Sequence, residues 1–298
     1  MNQKRLFGEL LEYISDDLRL LPDKPEETPE TTLKALWMLA AGEPLSVEAA
    51  TKRELPELSE HESKKLKTFI ETRLQGIPLA HISGRQSFMG MDLIAGPEAL
   101  IPRKETELLA SCAIDILKEW GDGKQPNVID VCTGAGNVAL AIAKAIENAN
   151  VFASDLSVEA VALAHKNKEM HALSDRVTLH TGDLLEPFRE LDLEAGVDMI
   201  TCNPPYISSA KVPAMASEIS EHEPEMAFNG GVFGINLMRK LIAEAPDFIK
   251  SGGYLLFEVG LGQGPAMQKQ MSKLPAYDEV RTVADAAEEI RVLVARVR

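Results

Sequence analysis

The chain has 298 residues, of which 45% are hydrophobic, and a formal net charge of −15. That length suits two domains with sizeable cores. No apolar run approaches a membrane span, and the acidic balance argues against broad electrostatic binding of DNA or RNA. Three cysteines, Cys112, Cys132 and Cys202, form no CxxC pair and are odd in number. A disulfide framework or zinc site is therefore not expected, and a reducing cytoplasm fits. The N-terminus alternates acidic and apolar groups and lacks the continuous apolar core of a signal peptide.

Residues 1–76 read as helical. Leu6, Leu10, Leu11 and Ile14 follow a 3.6-residue period. Further helices are predicted at 31–40, ending near Gly42, at 46–52, and at 60–74, where Gly76-Ile77-Pro78 stops the last. Their apolar faces imply a small bundle, and the Pro- and Glu-rich stretch 21–30 reads as a loop. Across 79–101, Gly84, Gly90 and Gly96 punctuate short segments that read as a hairpin. Beyond it the pattern alternates. Helices are expected at 105–120, 137–147, 157–172 and 235–250; strands at 127–131, 150–154, 177–180, 197–202 and 253–259. Two more strand-like segments follow at 277–283 and 290–297. The alternation predicts an α/β domain with a parallel sheet covered on both faces. The domain plan is a helical unit at 1–78, a hairpin linker at 79–101 and the α/β domain at 102–298.

The most informative residues are Asn203, Pro204, Pro205 and Tyr206, directly after an apolar run. Proline lacks a backbone N–H and has a fixed φ, so the strand must stop and turn rigidly there. In open α/β sheets that edge is where ligands sit. The cluster offers acceptors without N–H competitors, plus an aromatic face. Two acceptors suit the two hydrogens of a planar –NH2 group, and the ring suits its plane. The tetrapeptide resembles the substrate motif of methyltransferases acting on planar amino groups, either a glutamine amide or an exocyclic base nitrogen. The bland alternative is an ordinary turn after a strand.

A second motif precedes it. Asp130, Val131, Cys132, Thr133, Gly134, Ala135 and Gly136 run from a strand through a glycine turn into an apolar helix. Asp155 ends the next strand and can accept both hydroxyls of a ribose. The loop departs from the dinucleotide fingerprint, because it has no third glycine at that spacing and Asp130 would repel a pyrophosphate. A cationic ligand is favoured instead. S-adenosylmethionine fits, with its ammonium near Asp130 and the Gly134 loop and its ribose at Asp155. Asp183, after the next strand, could accept the adenine amino group, and Leu184 could pack the ring. An N-cap role for Asp183 and a turn role for Asp155 are the alternatives. The histidines, His81, His165, His171, His180 and His222 among them, show no metal-ligand spacing, so no metal is expected.

With these motifs the chain resembles the HemK/PrmC family, protein-(glutamine-N5) methyltransferases that modify peptide-chain release factors. The resemblance rests also on Gly76-Ile77-Pro78-Leu79-Ala80-His81-Ile82-Ser83-Gly84, on Pro102-Arg103 with Thr106-Glu107, on Glu223-Pro224, on Asn229-Gly230-Gly231, and on Phe257-Glu258-Val259-Gly260. It implies a seven-stranded Rossmann-like methyltransferase sheet with an N-terminal helical bundle and a linking hairpin. It implies cofactor contacts from Asp130, Val131, Cys132, Thr133, Gly134, Gly136, Asp155, Asp183, Leu184 and Asn203. The glutamine would sit on Asn203, Pro204, Pro205 and Tyr206, with Asn203, Pro204 and Tyr206 catalytic. Two residues depart from the family pattern: Lys104 stands where a proline is usual, and Cys132 stands where the loop usually has its first glycine. Cys132 reads as a small packing residue rather than a nucleophile.

The expected reaction is direct methyl transfer to an amide nitrogen. The Asn203 side-chain oxygen and the Pro204 carbonyl would each accept one N–H bond, and Tyr206 would hold the amide plane. Glu223 and Glu258 are candidates for assisting proton loss or for purely structural roles. The expected partner is a release factor, with a ribosomal-protein glutamine or a nucleic-acid base as alternatives, and a monomer is the default state.

Overall fold

The computed structural model describes residues 3–21, 23–121, 123–191, 193–231 and 234–298. Part of the loop read at 21–30 (residue 22) and the first two residues of the helical stretch lie outside the described residues. In chain order the elements are helices α1 Gln3–Asp17, α2 Pro29–Ala40, α3 Val47–Thr51, α4 Glu60–Leu74 and α5 Leu79–Ser83, then strands β1 Arg85–Phe88 and β2 Met91–Ile94. Next come α6 Thr106–Glu119, β3 Asn127–Val131, α7 Asn137–Ala145, β4 Asn150–Asp155, α8 Val158–Met170, β5 Val177–Thr181 and β6 Val197–Cys202. The rest are α9 Ser217–Ser220, α10 Asn236–Phe248, β7 Ile249–Glu258, α11 Gly264–Met271, β8 Tyr277–Ala284 and β9 Ile290–Val297. They form two compact units: Met1–Lys104 with Met215–Glu223, and Glu105–Ala214 with Pro224–Arg298. Among the described residues no helix is long and apolar enough to cross a membrane.

In the first unit the helix starts follow local chemistry. Ser59 and Glu62 form a reciprocal capping box at α4, with the Ser59 amide donating to Glu62 Oε2 at 2.7 Å. Thr28 caps α2, with Pro29 in its first turn. Ile14, Leu33, Leu36, Trp37, Leu66 and Ile70 are wholly buried between the helices. Trp37 satisfies its indole N–H on the Pro56 carbonyl at 2.9 Å. The stretch at 79–101 holds more than a hairpin, because α5 forms after Pro78 and ends on Gly84 at φ 68. β1 and β2 then pair antiparallel around Met89 and Gly90, both at positive φ, as a tight right-twisted hairpin requires.

Residues 215–223 are fixed within this unit by buried charge. Lys24 Nζ meets Glu218 Oε1 at 2.6 Å, and Arg73 bridges Glu218 at 2.9 Å and Glu27 at 3.1 Å. Glu223 accepts the Ile101 amide at 2.9 Å and pairs with Arg103. All of these carboxylates are buried, so each needs its cation.

The second unit is built on a seven-stranded sheet of order β5-β4-β3-β6-β7-β9-β8. β3 to β7 are parallel in succession, and β9 runs antiparallel to both β7 and β8. The central strands read as continuous apolar runs because helices cover both faces; Ile129, Val131, Ile200, Leu255 and Phe257 are wholly buried. From β3 the chain winds outward through β4 and β5, then returns to β6 on the other side of β3. That reversal opens a crevice at the C-terminal ends of β3 and β6, where an open α/β sheet binds its ligands.

Candidate active site

Asp130 lies within β3 and is 1% exposed. Its register partner on β6 is Thr201, whose hydroxyl donates to Oδ1 at 2.7 Å; Thr133 donates to Oδ2 at 2.6 Å. Burial pushes the carboxyl up to about 6, against the pull of the two hydroxyls and the Ala139 amide. These partners are neutral, so the carboxylate is well hydrogen-bonded and still favours a cation. The ammonium of S-adenosylmethionine fits that requirement.

The turn after β3 is held in the left-handed region at Cys132 (φ 57), Gly134 (φ 55) and Gly136 (φ 84). Glycine takes that conformation freely, whereas a side chain costs about 1–2 kcal/mol there. This gives the physical meaning of the glycine that Cys132 replaces. The turn is braced from three sides. The Thr133 amide donates to the Ser154 carbonyl at 3.0 Å, the Gly136 amide to the Thr133 carbonyl at 2.8 Å, and the buried Asn167 side chain to the Ala135 carbonyl at 3.0 Å. A Cβ on Gly136 would press on Ala164 and Leu140 at 3.2 and 3.3 Å. Cys132 packs against the core beside Cys202, whose thiol is pushed up by burial. No cluster of metal-ligating side chains exists among the described residues.

Asp155 closes β4 and accepts the Gly134 amide on Oδ2 at 2.8 Å and the Ser157 amide on Oδ1 at 3.0 Å. Burial raises its carboxyl as well. Each oxygen keeps a lone pair for a ribose hydroxyl. Asp183 is placed differently from its neighbours, since its carboxylate is ion-paired with Lys240. Leu184 is only 3% exposed and belongs to the core, whereas Leu156, directly after Asp155, is 57% exposed. Among the described residues, an open apolar side chain directly beside Asp155 is therefore Leu156, for which the sequence held no motif.

Asn203, Pro204, Pro205 and Tyr206 follow β6 directly. The Asn203 side chain donates from Nδ2 to Thr106 Oγ1 at 2.9 Å. Thr106 donates to Glu258 Oε2 at 2.7 Å, and Tyr206 donates its hydroxyl to Glu258 Oε1 at 2.9 Å. Arg291 Nη2 lies 3.5 Å from the same Oε1. Burial raises the Glu258 carboxyl and the Tyr206 phenol. The turn is wedged in place by glycines: a Cβ on Gly230 would collide with the Pro205 carbonyl, and one on Gly234 with the Tyr206 carbonyl. Gln263 locks the far side, donating to the Tyr206 carbonyl at 3.0 Å and accepting the Gly260 amide at 2.9 Å. Thr201 and Arg291 carried no signal of their own in the sequence and Thr106 entered only through the family resemblance; strand register and long-range packing give all three their roles. Glu223 is committed to Arg103 and Ile101 in the first unit, and Glu258 belongs to the network around Asn203 and Tyr206.

Residues 106–241 match the family model of the methyltransferase small domain. A release factor glutamine methyltransferase of Gloeobacter violaceus is 34% identical over 80% of this chain and 82% of its own. One of Bacillus cereus is 31% identical over 77% and 80%. Among solved structures, the N-terminal domain of human METTL16 in complex with SAH aligns at TM-score 0.53 and 14% identity, over 94% of this chain and 98% of that one. The Thermus thermophilus 16S rRNA N2 G1207 methyltransferase RsmC aligns at TM-score 0.50 and 18% identity, over 72% and 50%. At such identities the structural likeness speaks for the fold, a Rossmann-like methyltransferase sheet. With relatives at this identity and coverage, the chain belongs to the release factor glutamine methyltransferase family.

Proposed function

We propose that this protein transfers a methyl group from S-adenosylmethionine to the side-chain amide nitrogen of a glutamine, the Gly-Gly-Gln glutamine of a peptide chain release factor, as a cytoplasmic monomer. One observation carries the reading. Asp130, a buried anion suited to the cofactor's ammonium, is held by Thr201, and Asn203 and Pro204 follow two and three residues later, just past the end of that strand. Methyl donor and amide acceptor then meet at one crevice. The names of the curated relatives support the substrate.

S-adenosylmethionine supplies an electrophilic methyl group on a sulfonium centre. Asp130, the Cys132–Gly136 turn and Asp155 would hold it, with the exposed Leu156 beside Asp155 offering the apolar surface for the adenine in place of the core residue Leu184. The protein's work is orientation. An amide nitrogen is a weak nucleophile because its lone pair is delocalised. The Asn203 oxygen and the Pro204 carbonyl each accept one of its hydrogens, aim the lone pair and stabilise the charge that grows on nitrogen. Tyr206, tied to Glu258, presents its ring to the amide plane. The methylated cation is strongly acidic and loses its proton to water, so no dedicated base is required. The helical unit docks the protein that carries the glutamine.

The test is methyl transfer from labelled S-adenosylmethionine to purified release factor, beside a copy whose Gly-Gly-Gln glutamine is alanine. Label on the first alone is the expected result. No label on either, with cofactor binding intact, refutes the substrate and directs attention to ribosomal-protein glutamines and then to nucleic-acid bases.

A further inference from the structure

An asparagine side chain ends in an oxygen and an –NH2 group of nearly equal size, and only one of them suits a substrate –NH2. If the nitrogen of Asn203 faced the glutamine, donors would face donors. Something must therefore choose between the two orientations. We infer that Thr106 and Glu258 are positioning residues that fix the polarity of the Asn203 side chain, turning its oxygen to the substrate. This rests on the glutamine reading above and extends it to residues that do not touch the substrate.

The polarity follows from counting hydrogens. Thr106 has one hydroxyl hydrogen, and its Oγ1 stands 2.7 Å from Glu258 Oε2. A carboxylate only accepts, so that hydrogen is committed to Glu258. Toward Asn203, 2.9 Å away, Oγ1 can then only accept, and the Asn203 –NH2 must face it. Side-chain amide orientations are assigned from the surrounding network, and here the network allows one answer. Glu258 is kept acceptor-only by the donors around it. The Tyr206 hydroxyl lies at 2.9 Å and the Arg291 guanidinium at 3.5 Å, both on Oε1, with Thr106 on Oε2. Glu258 is 1% exposed and Thr106 is wholly buried, so water does not compete for these bonds. The chain runs Asn203 to Thr106 to Glu258, with every donor pointing toward the carboxylate.

Glu258→Gln tests the direction of the chain as well as its presence. Arg291 and Tyr206 already donate on the Oε1 side, so the new amide keeps its oxygen there and turns its –NH2 to Thr106. The Thr106 hydrogen is then released toward Asn203, whose oxygen rotates to accept it. The substrate meets an –NH2 instead of an acceptor.

The experiment compares wild type, Thr106→Ser, Thr106→Val, Glu258→Gln and the Val/Gln double variant by steady-state kinetics on release factor. Cofactor affinity is measured by calorimetry, and the Asn203 side-chain amide by 15N NMR without substrate. Thr106→Ser retains the hydroxyl and should stay within about threefold of wild-type kcat. Thr106→Val and Glu258→Gln should each lose about 10- to 100-fold in kcat, with substrate KM and cofactor Kd changing far less. The double variant should be no worse than the poorer single, because one chain is broken twice. The Asn203 –NH2 resonances should move in the Val and Gln variants and not in Ser. Wild-type kcat in a folded Thr106→Val, additive losses in the double variant, or Asn203 resonances alike in all variants would overturn the inference. An inactive wild type would instead refute the glutamine reading, and the NMR comparison would still decide the hydrogen-bond chain.

Discussion

Cofactor affinity should depend on pH through Asp130. The apo protein holds this carboxyl at about 6 rather than the usual 3.8, because burial penalises its charge. That gap corresponds to about 3 kcal/mol of cost for carrying the anion in the apo fold. The sign follows from linkage. A carboxyl raised in the folded state binds its proton more tightly there than in the unfolded chain. The cost is therefore fully present above about 6, shrinks as pH falls toward 3.8, and is gone below it. A bound ammonium reverses the balance by favouring the anion. Affinity for S-adenosylmethionine should level off near pH 7 and fall about tenfold between pH 7 and pH 5, where about one apo molecule in eleven is ionised. The α-amino group of the cofactor stays largely protonated over that window and adds little slope. Calorimetric Kd values at pH 5, 6 and 7 provide the assay. Asp130→Asn provides the control: weaker binding at pH 7, no pH slope, and an apo melting temperature above wild type at pH 7, with the difference narrowing on acidification. A wild-type Kd that stays constant from pH 7 to pH 5, or an Asn variant less stable than wild type at pH 7, would refute the reasoning.

Cys132→Gly should leave stability within about 1 kcal/mol. Relief of the left-handed backbone is offset by lost packing and a freer unfolded chain, whereas Cys132→Val should lose about 2 kcal/mol or more; urea denaturation ranks the three. Asn203→Asp should lower kcat at least about 100-fold while S-adenosylmethionine still binds by calorimetry. A second carboxylate would then share the single Thr106 hydrogen with Glu258. Arg73→Met should cost about 3–5 kcal/mol by denaturant titration, because Glu27 and Glu218 lose a shared buried cation. Restoring most of that loss with Glu27→Gln in the same chain would confirm that unpaired charge, and not lost volume, is the cause.

The fold was legible where the chemistry is local. The stop at Gly76-Ile77-Pro78 and the apolar strand runs each carry their own signal, and the structure places α4 at Glu60–Leu74 and β6 at Val197–Cys202 accordingly. Legibility fails for short elements. α5 has five residues, too few for a helical period, and α11 shows only Met267 and Met271 as large buried side chains behind a Gly-Pro start. It fails again for 215–223. That segment lies far along the chain from the helices it packs with, and the pairing of Glu218 with Lys24 and Arg73, and of Glu223 with Arg103 and the Ile101 amide, places it there.

The candidate site divides along the same line. Asp130, Asp155 and Asn203 announce themselves because each lies in the last two residues of a strand or directly after one, and a sheet edge is a place that sequence periodicity can find. Their supporting residues cannot be found that way. Thr201 reaches Asp130 only because β3 and β6 pair in one register, and a shift of one residue would turn its hydroxyl to the opposite face. Thr106 lies 97 residues from Asn203 and 152 from Glu258, so the bond between them records a packing of α6 against the sheet that no local pattern encodes. The groups that would meet the ligands are thus written in motifs, and the groups that orient them are written in register. For that reason a variant such as Thr106→Val, at a side chain that would touch neither ligand, should be nearly as informative about the reaction as a change at Asn203 itself.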